Sequence, residues 1–172
     1  MAAPIIIKGR CACGEVTFQS SGFPQHLDFC YCTTCQQVTG APFGAWTGIK
    51  RDTIVWEGPT AKYRVSNIAT RSLCVQCGGT LVIQYDCYPN KTHVAAGTIT
   101  KGSELLPKVG MHIFVKSKPA WYSIPDDGLP RYEEFDEEFL GVLKRYSAQM
   151  GRNDPAYEAP SEGNSHESIT NS

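Results

Sequence analysis

Residues 30–35 read Cys30-Tyr31-Cys32-Thr33-Thr34-Cys35, three thiols within six positions. A cluster this tight can hold one metal ion by itself. Working outward, the pair Cys11-Ala12-Cys13 lies upstream, and the pair Cys74-Val75-Gln76-Cys77 lies downstream. Short C-x-C and C-x2-C turns supply metal ligands in pairs, because a tight turn aims two thiolates at one ion. Gly14 and Gly78 follow Cys13 and Cys77, where glycine lets the backbone turn sharply. Buried apolar cysteines do not ordinarily come as one C-x-C, one C-x-C-x2-C and one C-x2-C. An eighth cysteine, Cys87, stands apart. Secreted disulfide scaffolds with as many cysteines are normally shorter and carry an export signal.

The ligands divide in two ways. In the first, Cys11, Cys13, Cys74 and Cys77 form a closed four-thiolate zinc site that clips distant segments together. Cys30, Cys32 and Cys35 then hold a second zinc and leave one place open, as catalytic zinc sites do. In the second, Cys87 closes the triplet, and both sites are structural.

The 172 residues carry a net charge of −1, with 41% hydrophobic and 19% charged residues. That composition belongs to a globular domain and gives no general attraction to nucleic acid or an anionic membrane. No apolar run reaches the roughly 18 residues of a membrane-spanning helix. The opening Met1–Lys8 is too short for the core of an export signal. The expectation is a cytoplasmic protein with no nucleic-acid and no membrane partner. The stretch from Gly151 to Ser172 has one arginine against four acids, and is expected to be a disordered acidic tail.

Residues 1–150 read mainly as short strands separated by turns. The expected strands are 5–9, 15–20, 27–30, 43–49, 54–57, 62–65, 70–73, 81–85, 93–98 and 111–115. A helix is expected from an Asp136 cap through Phe139, Leu140, Leu143 and Tyr146 to Met150. A weaker helical turn is expected near 33–39, with Thr33 or Thr34 capping it or donating to a bound anion.

Four segments carry a resemblance to a known family: 9–16 (GRCACGEV), 30–35 leading to Thr39-Gly40-Ala41, 74–81 (CVQCGGTL) and 112–121 (HIFVKSKPAW). The sequence resembles the glutathione-dependent formaldehyde-activating enzyme family, which includes the domain of centromere protein V. The resemblance runs over roughly residues 5 to 135. It implies a mainly β fold, a β-tent of small antiparallel sheets around zinc, over 1–135, and leaves out the C-terminal helix expected over 136–150, which would pack on that domain. It also implies structural zinc on Cys11, Cys13, Cys74 and Cys77, and labile catalytic zinc on Cys30, Cys32 and Cys35. Cys87 has no counterpart in the family's motif. The implied activity is that of a carbon–sulfur lyase joining glutathione, as cosubstrate, to an aldehyde.

Such a reaction needs a proton donor or acceptor. His112, which opens the fourth segment, is the first candidate, ahead of His93 and then His26. Tyr31, inside the triplet, is the aromatic expected to face the open zinc. Phe43 and Trp46 are further wall candidates, while Phe114 and Trp121 are expected in the core. Arg51, Arg64, Arg71, Lys116 and Lys118 are available to an anionic substrate, and spacing does not choose among them. Three functions compete: a lyase acting on a small thiol or aldehyde-derived compound, a zinc enzyme of different chemistry on a secondary metabolite, and a non-catalytic zinc module. A homodimer is compatible with all three.

Overall fold

The computed structural model describes residues 4–150. The stretch expected to form an acidic tail lies outside the described residues. In chain order the elements are β1 (Ile7–Arg10), β2 (Thr17–Ser20), β3 (Leu27–Cys30), α1 (Thr33–Thr39), β4 (Gly44–Lys50), β5 (Ile54–Glu57), β6 (Thr60–Tyr63), β7 (Ala69–Cys74), β8 (Thr80–Tyr85), β9 (Lys91–Ala95), β10 (Ile99–Lys101), β11 (Met111–Ile113) and α2 (Glu137–Gln149). The fold is mainly β, as expected.

The strands form a four-stranded sheet in the order β10-β1-β2-β5 and a seven-stranded sheet in the order β11-β3-β4-β9-β8-β7-β6. The second sheet is larger than expected, and its edge pair β11–β3 is parallel. A parallel pair needs a long crossover, and here most of the sheet is built between the two partners. Strand β10 escaped the sequence reading. The expected strand 93–98 stops at Ala95, where Ala96–Thr98 forms a 3-10 turn and Thr98 Oγ1 donates to the Ala95 carbonyl at 2.7 Å. The chain then enters the other sheet as a three-residue strand, too short to show alternation.

Successive side chains point to opposite faces of a strand, so the large sheet has two distinct faces. On one, Ile49 and Val94 pack against Ile7, Phe18 and Ile99 of the small sheet. The other face packs against α2 and the segment before it, where Ile83, Trp46 and Cys30 share a core with Phe114, Phe135, Phe139 and Leu143. Asp136 caps α2, its Oδ1 accepting the Phe139 N–H at 3.0 Å, and Glu137 and Glu138 suit the positive end of the helix. Asp136→Ala is expected to cost about 1 kcal/mol of stability while Asp136→Asn, which still caps, costs little; urea unfolding measures both. Among the described residues, no helix is long and apolar enough to cross a membrane.

Candidate functional site

Cys11 and Cys13 follow β1, and Cys74 and Cys77 leave β7, so the two pairs come from different sheets. Each pair is closed by a glycine amide that bonds back to its first cysteine. The Gly14 N–H bonds back to the Cys11 carbonyl at 3.2 Å, and the Gly78 N–H to the Cys74 carbonyl at 2.9 Å. Both glycines have positive φ, 87° and 69°, a region costly for other residues. The four sulfurs lie within 4.8 Å of one another, with Cys11–Cys13 at 3.4 Å and Cys13–Cys74 at 3.7 Å. Tetrahedral zinc with bonds near 2.3 Å separates its sulfurs by roughly 3.8 Å, so this group fits zinc. The Val16 N–H donates to Cys11 Sγ at 3.2 Å, which favours a thiolate there.

The second group is Cys30 at the end of β3 with Cys32 and Cys35 around the start of α1. Its sulfurs also lie within 4.8 Å of one another, and all three residues are buried. Cys32 itself caps α1, its Sγ accepting the Cys35 N–H at 3.4 Å, in place of the expected threonines. Cys87 joins neither group. Among the five basic candidates the structure singles out Arg71, which is 6% exposed, places Nη2 3.5 Å from Cys35 Sγ and lies over the Trp46 ring. Hydrogen bonds from Cys30 and Cys32, aided by Arg71, hold the Cys35 thiol well below its ordinary pKa. Three thiolates around a divalent ion carry one net negative charge, which one buried guanidinium balances. This donor set therefore also fits zinc.

Residues directly opposite one another in neighbouring strands share a face. The registers Asp28↔Trp46, Cys30↔Gly44, Gly48↔His93, Ile83↔His93 and Arg71↔Ile83 put Asp28, Cys30, Trp46, His93 and Arg71 on the face that α2 covers. A cavity of about 180 Å³ opens there, lined by Cys30 with His26, Asp28, Trp46, Tyr85 and His93, among others. Phe135 and Phe139 close it from the α2 side, and Lys91, Asp136 and Glu138 also line it. A much smaller hollow, lined by Cys32, Thr34 and Arg71, shares Cys30, Tyr85 and Phe135 with it.

Burial sets the electrostatics of this cavity. It lowers the pKa of His93 to about 3 and of His26 to about 4, so both rings are neutral at pH 7. It raises the Asp28 pKa to about 6. His26 packs over Gly48, where a Cβ would meet its ring at 2.2 Å, so the glycine makes room for it. The two imidazoles then stand 5.4 Å apart between ring centres. Four polar atoms on this face are buried without a hydrogen-bond partner: Asp28 Oδ1, Trp46 Nε1, Arg71 Nη1 and His93 Nδ1.

The structure brings His112 and Tyr31 together, but away from Cys30. Strand β11 pairs His112 with Phe29, on the face opposite Asp28 and Cys30. The Tyr31 hydroxyl and His112 Nδ1 are 3.0 Å apart, and His112 Nε2 is 3.0 Å from Asp127 Oδ2. Phe43 stacks on Phe29 and neighbours Tyr31 on that side. Phe114 is in the core as expected, whereas Trp121 is 73% exposed. Asp28, unnoticed in the sequence, sits two positions before Cys30 on one strand, so alternation alone puts it on the cysteine's face.

The profile of the family described as glutathione-dependent formaldehyde-activating enzyme matches residues 6–117, more than half of the chain. The chain belongs to this family. An uncharacterized lyase of Schizosaccharomyces pombe is 28% identical over 78 residues, which cover 45% of this chain and 57% of that protein. The chain thus matches little more than half the length of this relative. A Rhodobacter sphaeroides protein of known crystal structure aligns over 73% of this chain and 98% of its own, at 15% identity and a TM-score of 0.42. The family profile takes in both cysteine groups, Trp46, His93 and His112, and stops before α2.

Proposed function

We propose that the chain is a zinc-dependent carbon–sulfur lyase that forms or cleaves a thiol–aldehyde adduct at the Cys30–Cys32–Cys35 group. One observation supports this most directly: a cysteine of the three-thiol group lines a cavity, while the four-thiol group already offers a complete ligand set. Family membership and the lyase name of the yeast relative agree with it. In this reading Cys11, Cys13, Cys74 and Cys77 hold a structural zinc, and the triplet holds a catalytic one. Zinc on three thiolates supplies Lewis acidity and a coordination place for a substrate sulfur or oxygen.

The chain's own residues do the remaining work. Arg71 offsets the charge of the thiolates from within the protein, where an unpaired charge is costly. Ile83, Phe135 and Phe139 present apolar surface to the cavity beside Cys30. Tyr31 and His112 position the ligand loop: the Tyr31 N–H donates to the Ile113 carbonyl at 2.9 Å, and Gln36 Nε2 binds the Tyr31 carbonyl. Both brace the turn between Cys30 and Cys32 rather than meet substrate.

The substrate is a small thiol or aldehyde-derived molecule. Glutathione serves as cosubstrate by inserting only its reacting end. A second reading, glutathione-independent chemistry on a small metabolite, is favoured by Asp136 and Glu138 at the cavity, which oppose a peptide bearing two carboxylates. The test uses zinc-loaded protein with formaldehyde and either glutathione or 2-mercaptoethanol, following exchange between free and adduct forms by NMR. Exchange faster than the uncatalysed rate with either thiol is the expected result. No acceleration with any thiol would leave the glutathione-independent chemistry.

A further inference from the structure

We propose that the cavity beside Cys30 takes the oxygen-bearing end of a small uncharged substrate, with His93 Nδ1 exchanging its hydroxyl proton and Trp46 Nε1 donating to its oxygen. The pocket stands on its geometry and lining; the proton step rests on the lyase function proposed above.

Three features lead to this pocket. The first is the set of orphaned polar atoms. A buried polar atom without a partner costs about 1–3 kcal/mol, and such atoms in native proteins ask for an explanation. His93 and Trp46 are 8% and 5% exposed, both line the cavity, and both carry an unpartnered nitrogen. They are also joined through the sheet register, because Trp46 lies two positions before Gly48 on β4 and Gly48 faces His93. One is an obligate donor, the other can accept or donate. A hydroxyl or carbonyl oxygen is a partner for either.

The second feature is size. A cavity of about 150 Å³ accommodates a benzene ring, so about 180 Å³ takes a ring-sized molecule or the reacting end of a longer one. The third is charge. Asp28, Asp136 and Glu138 line the cavity against Lys91 alone, with both histidines neutral. A carboxylate entering here meets like charge, whereas an aldehyde, an alcohol or their thiol adduct does not.

The proton balance is simple. In the cleaving direction the adduct's hydroxyl proton moves to His93 Nδ1 only as the carbon–sulfur bond breaks, because burial disfavours a lasting imidazolium, and the freed electron pair closes the carbon–oxygen double bond. The carbon–sulfur bond breaks with its pair leaving on sulfur. That sulfur then takes the proton from His93, so aldehyde and thiol depart and the neutral histidine is restored. No oxidant or reductant enters. His26, packed against His93 and 3.5 Å from Asp28 through Nε2, acts as a positioning residue.

The test has two arms. In the first, benzyl alcohol is titrated into zinc-loaded protein and the Trp46 indole N–H and His93 ring signals are followed by NMR. Both signals are expected to move, benzoate is expected to bind at least about tenfold more weakly, and Trp46→Phe is expected to weaken benzyl alcohol. Neither signal moving would overturn the pocket. In the second arm, His93→Gln is expected to slow formaldehyde–thiol exchange about a hundredfold with zinc content and circular dichroism unchanged. His93→Ala is expected to regain part of the rate when imidazole is added, which a merely structural histidine would not allow. Wild-type exchange in His93→Gln would overturn the proton step while leaving the lyase function standing. Movement of both signals in a protein that catalyses no thiol exchange would support the pocket and remove the lyase function together with its proton step.

Discussion

Cys74→Ser is expected to abolish folding at ordinary temperatures. Cys74 is fully buried, ends β7 in the large sheet, and shares a small core with Cys11, Val16, Leu81 and Val82. Its group spans the two sheets, which also meet through Trp56 against Leu81 and Val82 and through the cluster around Ile49 and Val94. Structural zinc contributes an apparent 10–16 kcal/mol in small zinc domains, about as much as the whole stability of a typical domain, 5–15 kcal/mol. A group reduced to three thiols loses a large share of that. The measurement is soluble yield together with thermal unfolding by circular dichroism. Cooperative melting within a few degrees of wild type would mean that the four-thiol group is not what joins the sheets.

Cys32→Ser has the opposite profile: a folded protein with almost no activity. The substitution keeps the cap of α1, because a serine oxygen accepts the N–H of residue 35 at least as well as the sulfur does. The surrounding core of Trp46, Ile83, Phe114, Phe135 and Phe139 is untouched. What is lost is one of three thiolates, and with it one zinc per chain. Lewis-acid assistance worth several kcal/mol corresponds to at least about a thousandfold in rate. Zinc analysis, circular dichroism and the formaldehyde–thiol exchange assay check this together. Unfolding as complete as that of Cys74→Ser would remove the distinction between the two groups.

The cysteine groups were legible in the sequence because their ligand spacing is local. The turns at Gly14 and Gly78 need only a few neighbouring residues, and so does the start of α1 at Thr33. The partners of those groups were not legible, because they depend on strand register. Tyr31 stands between two cysteines in the sequence, yet alternation along β3 sends Asp28 and Cys30 to one face and Phe29 to the other. His112 follows Phe29 because β11 lies parallel to β3, a pairing across eighty residues that no local pattern reveals. The β4–β9 register, with Gly48 opposite His93, raises His93, which the sequence ranked second, to the histidine beside the cavity. Trp121, expected in the core, is exposed because the chain there runs as irregular turns after β11 and joins neither sheet.

The central claim is that one chain carries two unlike zinc sites, one that holds the fold and one that is open to substrate. The most direct measurement counts zinc per chain before and after mild chelation while circular dichroism follows the fold. About two zinc ions are expected at first, with one removed readily, the fold intact and thiol–aldehyde exchange lost alongside it. Two ions that both resist until the protein unfolds would contradict the claim, and the non-catalytic zinc module would take its place.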